Sequence, residues 1–532
     1  MEYPVETFTP EERKRLEPHF TNLDRPVFAL VNLPETVKGA LFSRYSRYRG
    51  TLRRLFLDEF ADSLPELPGA FEGHEGRRAA QLYERMFFEY GDDSVAQLGG
   101  AHVAVEWCSN VVTKVLQRPR LAAYLEQSTR YIPYDQPMDE AGAWRYWRDE
   151  RLGPEYAAAM DRLFELYSAT LARVREWVTS EFPPPPAGGE AAHRRAVNAK
   201  ALDLTRGMLP AAALSHMGVF ATGQAYESLI LHLLAHPLPE ASDYGEMILG
   251  ELEKVMPSFL SRVRRPERGG VWIEQLRERR ERALDAAERL GLRRESLDPE
   301  PASVRLVDVD GDESRLLRAL LEEQATVSEA EVAGAVERLA PEERARLIAE
   351  LVGARENRRH RPGRGFEALR YRLEIVSDYG AFRDLQRHRM LTAQWQELTP
   401  LLGADLPEEV GLAGCGAAYS EALEVSADAW RSLRDAGHGP AAQYALCLAY
   451  RLRYVLDMNA REAMQLVELR SGSEGHPSYR AVAQEMHRLI AEVHPTVAAA
   501  MTHVDLTTEP RLERLLAEMR TQARREALAR GD

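Results

Sequence analysis

Apolar and polar positions along this chain fall into short strand-like runs and longer helical ones, and they come in the same order twice. "VFALVNLPETVKGALFSRYSR" at 27–47 gives a short apolar run, a polar turn and then a helical pattern. "VRLVDVDGDESRLLRALLEEQ" at 304–324 repeats that plan. Next, "GAHVAVEWCSNVVTKVLQRPR" puts a strand before a helix that ends in Leu-Gln-Arg-x-Arg at 116–120. In the second half "FEALRYRLEIV" and "YGAFRDLQRHR" do the same, ending at 385–389. Imperfect alternation of Phe366, Leu369, Tyr371, Leu373 and Ile375 predicts an edge or half-buried strand. "YGEMILGELEKVMPSF" at 244–259 and "YRAVAQEMHRLIAEVHPTV" at 479–497 both predict amphipathic helices running from a tyrosine into a proline. "PEERARLIAELVGA" and "YALCLAYRLRYVLDMNAREAMQLVELR" also read as helix.

The two Arg-x-Arg phrases lie about half the chain apart, so the pattern predicts a duplication. The expected class is α+β, with more helix than strand, each repeat carrying a mixed or antiparallel sheet with packed helices. The expected boundaries are 1–262 for the first repeat, 263–302 for a charged helical linker and 303–532 for the second. "FPPPPAGGE" at 182–190 is expected to be a loop within the first repeat, since proline can occupy neither a helix interior nor a central strand.

Composition narrows the function. The 532 residues exceed the ~250–300 at which single cores stop growing. A net charge of −14 argues against a nucleic-acid coat, which needs a basic surface. Three cysteines, Cys108, Cys415 and Cys447, are too few and too scattered for a disulfide framework or a zinc site. No window supplies the ~18 apolar residues of a membrane span, and the charged N-terminus is no signal peptide. A cytoplasmic location is the expectation. Only five of the 69 basic residues are lysine, so anion binding would fall to guanidinium forks.

The first Arg-x-Arg continues "RPRLAAYLEQSTRYIPY", with seven residues before Ser128 and then Arg130 and Tyr131. This resembles the flavin-dependent thymidylate synthases, whose signature is Arg-His-Arg, seven residues, Ser, and usually Arg-Tyr just beyond. "TRGMLP" at 205–210, "FE" at 366–367 and "NAREAMQLVELRSGSEGH" at 459–476 resemble further elements of that family. The departures are complementary. Repeat one keeps Glu126, Ser128, Arg130 and Arg206 but has Pro119 for the motif histidine and Gln97 for a family glutamate. Repeat two keeps Glu367, Arg387, His388, Arg389, Asn459, Arg461, Arg470 and His476 but has Glu397, Thr399 and Pro400 where Ser, Arg and Tyr would stand. Both repeats lack the glutamine that precedes the motif, having Val115 and Asp384 there.

The resemblance implies reductive methylation of dUMP, with FAD reduced by NADPH and methylenetetrahydrofolate as the one-carbon donor. It implies a composite site. Glu126, Ser128, Arg130 and Arg206 would form one wall of the nucleotide pocket, with Arg387 and Arg470 opposite. Glu367, Arg387, His388, Arg389, Asn459, Arg461 and His476 would surround the flavin, and Arg470 would stabilise charge on the uracil carbonyl as the catalytic residue. A homodimer forming a pseudo-tetramer is the implied assembly, with no nucleic-acid or membrane partner and no metal. On an extended segment Ser128 and Arg130 would face one side, and flanking arginines would lower the pKa of His388. Glu126 and Glu367 could equally be solvated carboxylates, and Asn459 sits inside a helical pattern where asparagine is mildly unfavourable. Asp384 keeps open the alternative of another pyrimidine nucleotide or a hydroxymethyl product. Losses in both repeats keep open a retired flavin- or nucleotide-binding relative.

Overall fold

The computed structural model describes residues 3–65, 67, 69–71, 81, 96–184, 189–293, 296–508 and six later positions (512, 515, 518, 519, 522 and 523). The chain divides into two compact units. The first comprises Met1–Ala169, Met208–Ser296 and Glu421–Cys447, and the second Thr170–Gly207, Leu297–Ser420 and Leu448–Asp532. Each unit therefore draws one segment from the opposite half of the sequence. Part of the proline-rich stretch, 185–188, lies outside the described residues; the flanking helices end at Glu181 and begin again at Glu190.

The first unit holds β1 (Val27–Leu30), β2 (Gly100–Ser109), β3 (Ala122–Glu126) and β4 (Leu214–Thr222) in the order β1-β2-β4-β3. The second holds β5 (Ser303–Asp310), β6 (Arg370–Asp378), β7 (Leu391–Trp395) and β8 (Arg451–Asn459) in the order β5-β6-β8-β7. Every pairing is antiparallel. Identical strand order is what a duplicated α+β domain requires.

Of the two alternatives expected for 366–375, the half-buried strand is the one found: β6 lies between β5 and β8 rather than at an edge, with Tyr371, Leu373 and Ile375 fully buried and Arg370, Arg372 and Glu374 less so. Phe366 stands before it on the Arg364–Ala368 turn. The helix expected over 444–470 begins only at Ala460, because Arg451–Asn459 is strand β8. Leu452, Tyr454, Leu456 and Met458 turn inward at a period of two. Apolar runs on either side of this segment, YALCLAY before it and the AREAMQLVELR helix after it, mask that alternation in the sequence. Asn459 is consequently not inside a helix but caps one, accepting from the Glu462 N–H at 2.9 Å.

In the helix Val271–Arg289 only Leu276 is buried, and Arg277 and Arg280 donate to the carbonyls of Leu234 and Ala235. Among the described residues no helix is long and apolar enough to cross a membrane, and no cluster of three or more metal-ligating side chains occurs.

A buried carboxylate in the first unit makes its stability depend on pH. Glu240 accepts from the Ser109 N–H (2.6 Å), the Ser109 hydroxyl (2.7 Å) and the Tyr444 hydroxyl (2.6 Å). Burial nevertheless pushes its pKa up to about 7, against those bonds. A folded-state pKa above the unfolded value gives stability that is present below the unfolded value, near 4.5, and lost as pH rises through about 7. Glu240→Gln keeps an acceptor for the Ser109 N–H, and both hydroxyls can reverse to accept from its amide. Thermal unfolding from pH 5 to 8 should show the wild-type midpoint falling relative to this variant, by up to about 3 kcal/mol of stability. Parallel profiles in the two proteins would exclude Glu240 as the source.

Candidate active site

Five elements of the second unit converge on one cluster. β6 ends at Asp378, whose Oδ1 accepts from the Ala381 N–H at 2.8 Å and so starts the Tyr379–Leu385 helix. That helix is buried along its whole length and delivers Asp384, then Arg387 and His388 just past its end. The Ala460–Arg470 helix, capped by Asn459, carries Glu462 and Arg470 two turns apart on one face. The Pro477–Val493 helix is capped by His476, whose Nδ1 accepts from the Ser478 N–H at 3.2 Å. The Glu190–Thr205 helix ends at Arg206.

Arg206 is 3% exposed, and its Nη1 donates to Asp384 Oδ2 at 3.2 Å. Its Nη2 is buried and finds no hydrogen-bond acceptor among the described residues. Asp384 Oδ1 also accepts from Arg387 Nη2, so one carboxylate is shared by an arginine from each half of the sequence. Gly380 makes room for this guanidinium: a Cβ there would lie 3.1 Å from Arg206 Nη2 and 2.8 Å from Asp378 Oδ1.

His388 is buried, with Nδ1 3.0 Å from Glu462 Oε1 and Nε2 3.0 Å from Arg470 Nε. Its pKa is lowered, as the sequence predicted, but burial leads and the neighbouring Arg470 and Arg387 only add to it, while Glu462 opposes. Arg470 also lies over the Tyr479 ring, 5.5 Å from its centroid. Burial draws its pKa down, with nearby Asp384 opposing.

Arg206, Asp378, His476 and Ser478 line a cavity of about 780 Å³, a size suited to a nucleotide. Two other cations on its wall are paired, Lys200 with Glu409 at 2.8 Å and Arg451 with Asp405 at 2.6 Å. Asp378 holds Ser478 Oγ, and burial raises its pKa. His476 Nε2 lies 3.0 Å from the Asp203 carbonyl.

The other expected residues are placed as follows. Arg461 contacts Glu367 (3.3 Å) and the Pro362 carbonyl (3.2 Å), while Arg364 holds the same Glu367 carboxylate. Arg389 is exposed. Glu126, Ser128 and Arg130 belong to the first unit. Glu126 is not solvated: it is 4% exposed and held by Lys114 at 3.0 Å and Gln117 at 2.9 Å. Ser128 and Arg130 do not stand side by side on an extended segment. They form a turn in which the Ser128 carbonyl accepts from the Tyr131 N–H at 3.1 Å and its Oγ from the Arg130 N–H at 3.3 Å. Serine favours such local turns over strand.

Sequence reasoning missed Glu462, Asp378 and Gly380. Glu462 had a readable signal: it stands at N3 behind a capping Asn459, where a glutamate normally reaches back to the cap, and its carboxylate goes to His388 instead.

Comparison with known proteins agrees with the duplicated architecture. The family model described as "Thymidylate synthase complementing protein" matches residues 58–258 and again 306–496. A UPF0159 protein of Chlamydia muridarum is 37% identical over 97% of this chain and 99% of its own. One from Thermoplasma acidophilum is 32% identical over 91% of this chain and 98% of its own. The solved structure of a UMP/dUMP methylase from Streptomyces cacaoi covers 40% of this chain and 100% of its own, at 17% identity and a TM-score of 0.31, too loose a likeness to bear on the chemistry. Matched twice and over most of its length, the chain belongs to the thymidylate synthase complementing protein family, with the family's domain present in tandem.

Proposed function

We propose that this protein is a flavin-dependent thymidylate synthase-like enzyme that methylates dUMP, with methylenetetrahydrofolate as one-carbon donor and NADPH as reductant. The observation that carries this reading is the buried, incompletely bonded guanidinium of Arg206 at the wall of a nucleotide-sized cavity, one carboxylate away from Arg387. A nucleoside monophosphate brings nearly two negative charges, and bidentate arginine bonds fix both its energy and its orientation. An orphaned N–H inside a protein costs about 1–3 kcal/mol, and a phosphate or carbonyl oxygen would satisfy it.

FAD would supply the redox chemistry when bound. The donor set suits it in part. Arg387, Arg389, Arg461 and the Asn459 amide would hold its diphosphate and polar groups, Arg387 and Arg461 each keeping 31% of their side chains exposed. His388 and His476 already have both ring nitrogens engaged. Arg470, held by His388 and resting on Tyr479, would steady negative charge on the uracil carbonyl oxygen. The buried Tyr379–Leu385 helix keeps water from behind the cluster. Two chains would assemble as a homodimer.

A reconstituted sample tests this directly. The full chain with FAD should hold about one flavin, change its visible spectrum on adding dUMP, and form dTMP only when methylenetetrahydrofolate and NADPH are both present. Absence of flavin binding at saturation, together with no dTMP, would leave a retired relative. Product analysis with other pyrimidine nucleotides tests the second reading, which Asp384 favours. An ionised carboxylate only accepts, whereas the family's glutamine also donates.

Gly380→Ala offers a local check. Its methyl would push into Arg206 and Asp378, and overpacking of this kind costs about 1–3 kcal/mol. Calorimetric titration should show dUMP binding about tenfold or more weaker. Unchanged affinity would mean that Arg206 does not contact the nucleotide.

A further inference from the structure

His388 lies between a group that can only donate and one that can only accept. The Arg470 Nε–H donates to Nε2, and the ionised Glu462 carboxylate accepts from Nδ1, each at 3.0 Å. One neutral tautomer satisfies both: the proton on Nδ1 and the lone pair on Nε2. In the imidazolium, Nε2–H would face Arg470 N–H, and that bond would be lost. His388 and Glu462 are enclosed, 4% and 6% exposed, while Arg470 is half-buried, so water has little access to the ring itself.

We propose that His388 is a positioning residue, locked by Glu462 in its Nδ1-protonated tautomer, that holds Arg470 toward the nucleotide and releases it on taking a second proton. The role of Arg470 rests on the function proposed above; the lock does not. The groups facing this site are Glu462 and Arg470 from the Ala460–Arg470 helix, Arg387 beside the ring, Asp384 near Arg470, and Tyr479 from the Pro477–Val493 helix. Burial and the two arginines keep the ring neutral at pH 7, and release belongs to the acid side of the usual histidine range. Glu462 pulls the other way, so removing its charge moves release to still lower pH.

Full-length protein with ¹⁵N-labelled histidine tests the lock, the His388 signal being the one missing from His388→Gln. The expected spectrum shows Nδ1 protonated and Nε2 bare at neutral pH, with titration displaced to lower pH in Glu462→Gln. An Nε2-protonated ring, or a titration indifferent to Glu462, overturns it. The release is read from dUMP affinity against pH. His388→Leu should bind about tenfold more weakly near neutral pH, and the gap should close on the acid side, where wild type has released Arg470 as well. His388→Gln, whose amide oxygen can accept from Arg470 but cannot titrate, should recover most of that loss and flatten the acid limb. An acid limb unchanged in His388→Gln overturns the release. If dUMP does not bind at all, the functional reading falls, and the lock is still judged by the tautomer and by its response to Glu462→Gln.

Discussion

Arg206→Met should weaken dUMP binding about a hundredfold or more while shifting the unfolding midpoint only slightly. Truncating one partner of a buried, charge-assisted contact costs about 2–5 kcal/mol of binding. Stability changes little because two effects oppose. The variant removes a guanidinium whose Nη2 is buried without an acceptor among the described residues, and it takes from Asp384 one of its two arginines. Asp384 keeps Arg387, so the carboxylate is not stranded. Arg206→Lys should fall between the two, since an ammonium keeps the charge but loses the fork. Titration calorimetry with dUMP, beside thermal unfolding of each variant, separates affinity from folding. Equal affinities in wild type and Arg206→Met would remove Arg206 from the binding machinery and, with it, the main support for a nucleotide at this cavity.

Arg206 also shows how far the sequence could be read. Its place in "TRGMLP" marked it as a site residue, and its pairing with the second half followed only from the complementary losses. The actual partner, Asp384, is 178 positions away, a contact that no local period encodes. The segment carrying Arg206, Thr170–Gly207, folds with the second unit, and nothing in its own amphipathic pattern says which sheet it will join. Local signals served better. The strand-turn-helix plans at 27–47 and 304–324 are where the pattern placed them, because turn residues and helical spacing act within one segment. β8 was misread although Arg451, Arg453, Asp457 and Asn459 alternate with Leu452, Tyr454, Leu456 and Met458, because apolar runs on both sides let a helical period continue across it. The Ser128 turn was misread because a side-chain hydrogen bond two residues long overrides strand propensity.

Asp384 was noticed as a departure, but its consequence needed the fold. Its carboxylate takes hydrogen bonds from Arg206 and Arg387 and lies near Arg470, so in the proposed site it would compete with a ligand anion. Asp384 thus places a negative charge beside Arg206, Arg387 and Arg470, the cations a phosphate would need. Asp384→Gln restores the family's residue and removes one negative charge. Unit charges about 4 Å apart interact by about 4 kcal/mol near a protein surface, and desolvation offsets part of that. The expected result is dUMP binding about ten- to a hundredfold tighter, with the gain shrinking at high salt because the added attraction is electrostatic. The same change should lower the midpoint of the ligand-free protein, where the arginines then repel one another, and enlarge the rise produced by dUMP. Calorimetry at two salt concentrations reads both. If Asp384→Gln binds dUMP no more tightly than wild type, Asp384 is no internal competitor. A preference for a ligand bearing an extra hydrogen-bond donor, lost in Asp384→Gln, would then identify it as the residue that chooses the nucleotide.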